Sequence, residues 1–358
     1  MIIGSGEHGY EWIDGWAKIP DSLSARDGWA HPGMAVAHTG EIFTVHPGES
    51  TVLVFDPDGT LKRSFEAPAR EVHQMAVASD GRDDFLWIAD PGRKNVRAGG
   101  MYEPSPGEWG GQVLQLTFDG DVVSRIERPD HAVYSDGTFA PTAVSVFQLA
   151  MGGNGDIWVA DGYGESYLHR YNSSGDYLGS VNGEEGRAGR FACPHAVWVD
   201  YRKSEPELLI ADRTNRRVQV YDLEGQYKRH FGADVMTSPS SFAVDGEQLI
   251  VAELRARLTV FDIDDNFVCY TGENERIARV DRNSPEDVPG WPNNLDENGN
   301  VIRSRILEPG SFNSPHGVAV DNEGNIYVAE WLVGGRYTKL VKQRSSVTAD
   351  GGESASIS

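Results

Sequence analysis

The chain has 358 residues, with 54 Asp plus Glu against 32 Lys plus Arg, for a net charge of −22. A surface this acidic repels nucleic-acid phosphates and anionic lipid, and no apolar run reaches the ~20 residues needed to span a bilayer. Two cysteines are too few for a disulfide framework, and 41 glycines, well above the usual ~7%, favour many tight turns over long helices. The opening residues lack the basic start and apolar core of a signal peptide, so the expectation is a cytoplasmic protein.

Read along the chain, one phrase recurs: an apolar strand ending in Ala and an acid. It is degenerate at first, as IFTVH at 42–46, and then appears as FLWIAD at 85–90, IWVAD at 157–161, LLIAD at 208–212, LIVAE at 249–253 and IYVAE at 326–330. A second phrase follows most copies, as FDPDG at 55–59, FDG at 118–120, YNSSG at 171–175, YDLEG at 221–225 and FDIDD at 261–265. Units of β-branched and aromatic strands, punctuated by Gly, Asp and Asn and spaced at roughly 40 residues, specify four-stranded propeller blades. Six units predict an all-β, six-bladed β-propeller over residues 1–343, followed by a disordered tail at 344–358. The sixth unit has no closing phrase of its own. Its outer strand is therefore expected from the N-terminal segment 10–19, which would latch the ring. Two insertions, 91–111 and 272–310, break the rhythm and are candidate lids.

The first strand of each unit carries the chemistry. His73 opens the second (VHQMAV), His195 the fourth (PHAVWV) and His316 the sixth (PHGVAV), at separations of 122 and 121 residues. In this alignment units one, three and five have Pro32, Phe147 and Ser240 instead. Residues on alternate blades of a six-fold ring lie about 120° apart, so three imidazoles at one height converge on the axis. A facial set of three nitrogens suits Zn²⁺ with an open fourth position, although other divalent transition metals accept the same donors. His31 and His46 lie near the inner strand of unit one, within reach of the channel but out of this register. Alternation places Glu71, Cys193 and Ser314 on one face, two residues before each His; Cys193 reads as a small packed residue.

The segments at 161–175 (DGYGESYLHRYNSSG), 194–222 (PHAVWVDYRKSEPELLIADRTNRRVQVYD) and 312–330 (FNSPHGVAVDNEGNIYVAE) resemble the NHL-repeat propeller of the peptidyl-α-hydroxyglycine α-amidating lyases. The likeness runs over roughly 33–341. It implies that His73, His195 and His316 bind zinc, that Tyr163 is the base, and that Arg213 lies near the metal and lowers the pKa of Tyr163. The implied reaction is lyase cleavage of a small α-hydroxylated amide: the hydroxyl loses its proton, the C–N bond breaks, and an amide and an aldehyde remain. There are departures. Pro47 stands where the family has an arginine that holds the substrate carboxylate, with Arg93 and Arg97 of the first insertion as candidate replacements. Ser314 replaces a methionine, and Gly317 replaces an acid that helps bind a structural calcium, which speaks against Ca²⁺. The partners read as a small-molecule substrate, with no nucleic acid and no membrane. The alternatives are a zinc hydrolase or hydratase on another small substrate, and a non-catalytic NHL interaction scaffold.

Overall fold

In the computed structural model, which describes residues 1–107, 110–278 and 288–343, the chain is a six-bladed β-propeller. The 344–358 tail lies outside the described residues. From the axis outward, blade 1 is Met34–Val36, Ile42–Val45, Thr51–Phe55 and Leu61–Glu66, each strand antiparallel to the next. The innermost strands of blades 2 to 6 are Met75–Ser79, Ala143–Val146, Pro194–Asp200, Pro239–Asp245 and Pro315–Val320.

Burial follows from this layering. A second strand such as Ile157–Ala160 is covered on both faces by neighbouring blades and is apolar throughout, whereas the outer strand Leu61–Glu66 alternates half-buried and exposed residues. The recurrent second phrase makes the hairpin turns. Gly59 sits at φ +83°, and a Cβ there would come within 1.9 Å of the Trp16 carbonyl oxygen, so only glycine fits.

The ring closes as the sequence predicts, with narrower bounds. Tyr10–Ile13 pairs antiparallel with Arg336–Lys342 and supplies the outer strand of blade 6. Ile2–Ile3 adds a fifth strand outside it. The strand ends at Ile13, one further N–H, that of Trp16, donates to the Tyr337 carbonyl at 3.0 Å, and the Trp16 ring wedges between blades 6 and 1 against Tyr327 and Phe55.

Both insertions leave the rim at which the inner strands begin. The first forms a hairpin, Asn95–Ala98 with Met101–Pro104. The described part of the second holds the pair Asn294–Leu295 and Val301–Ile302. The Val301 N–H donates to the Gly100 carbonyl at 2.7 Å, tying one insertion to the other. The opposite halves of the inner strands enclose an apolar axial cavity of about 170 Å³ lined by Met75, Trp198, Phe242 and Val318 among others. Among the described residues no helix is long and apolar enough to cross a membrane.

Candidate metal centre

The repeated acid that ends each second strand turns back to hold the loop entering the same blade. Asp90 accepts the backbone N–H of Arg70 and Glu71, Asp161 that of Ala140, and Asp212 that of Ala192. Glu253 does the same for Thr237 and Ser238, and Glu330 for Asn313 and Ser314. These loops deliver the axial residues. At that point the inner strand slips register: one extra residue is inserted between Pro194 and Ala196, between Pro239 and Ser241, and between Pro315 and Gly317. Such a bulge re-aims the inserted side chain, here His195, Ser240 and His316.

His73, His195 and His316 converge on the axis as predicted and are fully buried. Their ring centroids are separated by 4.9 Å (His73–His195), 4.7 Å (His73–His316) and 4.9 Å (His195–His316), a near-equilateral set. The Nδ1 of each faces a carbonyl of the next blade: Thr142 at 2.6 Å, Ser240 at 2.7 Å and Pro32 at 3.0 Å. This pattern corrects the sequence alignment at one position. Thr142, not Phe147, is the third unit's counterpart of the histidines. Its N–H bonds the Ala160 carbonyl as that of His73 bonds Ala89, while Phe147 lies at the far end of its strand.

A carbonyl oxygen can only accept, so each Nδ1 carries hydrogen and each Nε2 turns a lone pair toward the axis. Burial holds all three imidazoles well below their ordinary pKa, which keeps those lone pairs free of protons. The Tyr163 hydroxyl lies 3.0 Å from His195 Nε2, 3.3 Å from His73 Nε2 and 3.1 Å from His31 Nε2. Its single hydrogen serves one of them. His316 Nε2 is buried with no hydrogen-bond partner. More lone pairs than hydrogens meet in one space, which is the chemistry of a cation site. The nitrogen donors match Zn²⁺ and other divalent transition metals without choosing between them. His31 joins the group: one ligand atom from each of His31, His73, His195 and His316 lies within 4.8 Å of the others.

Around this group the other candidates divide. Arg213 Nη1 lies 3.5 Å from the Tyr163 hydroxyl, and the Arg213 and Arg93 guanidiniums are each 5.4 Å from the Tyr163 ring centroid. Burial pushes Tyr163 up to about 12, with Arg213 acting in the opposite direction. The expected lowering by Arg213 is therefore present but outweighed. Glu71 is buried near the site, with Oε2 3.3 Å from His31 Nδ1 and Oε1 3.7 Å from Lys94 Nζ. Burial raises its pKa, but His31, Lys94 and Arg93 together hold it below the usual carboxylate range.

Glu71, Cys193 and Ser314 do not form the shared strand face that alternation suggests. The inner strands of blades 4 and 6 begin only at Pro194 and Pro315, and Cys193 adopts φ +58°. Cys193 is not among the grouped ligands, and Ser314 Oγ donates to the Trp331 carbonyl. His46 occupies the acid's place in blade 1, where its Nδ1 accepts the Gly48 N–H away from the axis. Arg97 is drawn to Tyr102 instead of the centre. Trp331, Trp29 and Tyr102 extend an aromatic wall outward from His31. Sequence reasoning had no periodic signal for Glu71 as a partner of His31, since both lie in loops.

Fold defines the class: this chain is a six-bladed β-propeller, and the NHL repeat family model matches residues 312–334, the stretch that carries His316. It resembles two kinds of curated protein. Human NHL repeat-containing protein 3 is 27% identical over 258 residues, covering 69% of this chain and 67% of that protein. The Drosophila melanogaster peptidyl-alpha-hydroxyglycine alpha-amidating lyase 1 is 27% identical over 212 residues, covering 53% of this chain and 33% of the relative. The chain thus spans only a third of that lyase's length. Among solved structures, a streptogramin B lyase superposes with TM-score 0.54 and 12% identity, covering 93% of this chain and 98% of that one, a likeness of fold alone.

Proposed function

We propose that the protein is a metal-dependent lyase of the amidating-lyase type, acting on a small α-hydroxylated amide. His73, His195 and His316 would hold the ion, with Zn²⁺ the first choice. When bound, a divalent cation supplies Lewis acidity toward the substrate's hydroxyl oxygen. Tyr163, whose hydroxyl already lies among the ring nitrogens, takes the hydroxyl proton as general base. Arg213 beside it favours the phenolate form. The C–N bond then breaks with its electron pair going to nitrogen, the carbon keeps the oxygen as an aldehyde carbonyl, and the proton goes to the leaving nitrogen. Asp161 keeps Tyr163 in place by accepting the N–H groups of Ala140 and Glu165 and the Tyr134 hydroxyl.

The observation that carries this reading is the meeting of three carbonyl-fixed, buried imidazoles with one tyrosine hydroxyl. Zinc-loaded protein incubated with an N-acyl-α-hydroxyglycine is expected to release glyoxylate, and the chelated protein is not. Zinc-loaded protein that binds the ion yet releases none would end the lyase reading. A metal hydrolase or hydratase on another small substrate is the second reading. It is favoured by Pro47, which stands where the resembling family places its substrate-holding arginine.

A further inference from the structure

His31 is the residue at the centre for which the repeat makes no provision. Five blades pin the loop entering the axis with a carboxylate, but blade 1 has His46 in that place. The loop before Met34 is held instead by blade 6. The Ala30 N–H donates to the Leu332 carbonyl at 3.0 Å, the Gly334 N–H to the Gly28 carbonyl at 2.7 Å, and Trp29 bridges Val333. That lean carries His31, one residue ahead of the aligned Pro32, over the axis. Its ring centroid lies 4.3 Å from that of His73 and 4.4 Å from that of His316.

Two features make this imidazole resemble the other three. Its Nδ1 faces an acceptor, the Glu71 carboxylate, as the Nδ1 of each buried ring faces a carbonyl, which leaves Nε2 as the atom aimed inward. Its Nε2 lies 3.2 Å from His73 Nε2. Two nitrogens bound to one tetrahedral ion at ~2.0–2.1 Å are separated by about 3.3–3.4 Å, so the spacing suits a shared cation. One feature distinguishes it. The three buried rings are fixed by backbone carbonyls, while His31 is fixed by a side chain.

We propose that His31 is a fourth nitrogen ligand of the ion, oriented through its Nδ1 by Glu71. The inference rests on the metal reading above and adds a fourth nitrogen to the three that the buried rings supply. With four nitrogens holding the ion, a substrate oxygen would have to take the place of His31 or be added to the four.

The test uses the full chain with cobalt(II) as the probe ion, read by its visible absorption and by titration of affinity. Wild type is expected to give the intense band of a four-coordinate nitrogen site. His31→Ala is expected to bind at least ~10-fold more weakly with a weaker, shifted band, and added imidazole should restore the wild-type band. His31→Gln, which keeps a polar group of similar reach, guards against a folding defect and should give the same loss. If wild type binds cobalt while His31→Ala matches it in affinity and spectrum, the fourth-ligand inference falls and the three-histidine reading stands. If folded wild type binds no cobalt and no zinc, the metal reading falls and takes this inference with it.

Discussion

Tyr163 is held by contacts that have nothing to do with its hydroxyl: its N–H bonds the Ala140 carbonyl, and the preceding Asp161 ties down the turn. Removing only the oxygen should therefore leave the histidines where they are. Tyr163→Phe is expected to retain its metal, measured by elemental analysis, and to lose ~10²–10⁴-fold in glyoxylate release, the span typical of a general base. Turnover at the wild-type rate would take Tyr163 out of the reaction. Arg213 acts through this same hydroxyl, and Arg93 lies at an equal distance from the ring. An acidic chain thus places two guanidiniums, and Lys94 beyond Glu71, around one small volume.

At the scale of the strand, the repeated acid explains why the histidines arrive in register. Asp90 accepts the N–H groups of Arg70, Glu71 and Gly92 and the side-chain amide of Gln112, all at 3.0 Å or less. Asp90→Ala would strand several buried donors at once. The expected cost is about 2–4 kcal/mol, read from the urea midpoint at unchanged slope, together with weaker metal uptake because His73 follows directly. A stability within 0.5 kcal/mol of wild type would show that the acid is dispensable. The phrase ending in Ala and an acid was visible in the sequence because it recurs, and so were His73, His195 and His316. The task of the acid was not visible, because its partners are backbone groups that carry no sequence signature. Thr142 was missed for a related reason. Its unit has no histidine at that point, and although Pro141–Thr142 repeats the Pro-X start of blades 4 to 6, the apolar Phe147 was read as the match. His31 lies outside any period, on a loop positioned by blade 6, so only the folded ring brings it to the centre.

For the molecule as a whole, closure depends on one strand. The missing sixth closing phrase was legible as an absence, and Tyr10–Ile13 fills it. Trp12 is buried there, its ring 4.7 Å from Phe312 and capped by the Arg336 guanidinium at 5.1 Å. Trp12→Ala is expected to cost about 3–5 kcal/mol in thermal or denaturant unfolding, as large aromatic truncations do. A loss under 1 kcal/mol would mean that the latch contributes little to the ring.

That latch also orders events during synthesis. Tyr10–Ile13 leaves the ribosome early, but Arg336–Lys342, the strand it pairs with, is translated after all six inner strands. At ~5–20 residues per second the delay is on the order of tens of seconds. Through that interval the nascent protein carries a bare strand with Tyr10 and Trp12 uncovered, the kind of edge that invites pairing with a neighbouring chain. Each newly made copy therefore passes through a window in which it needs shielding from its siblings.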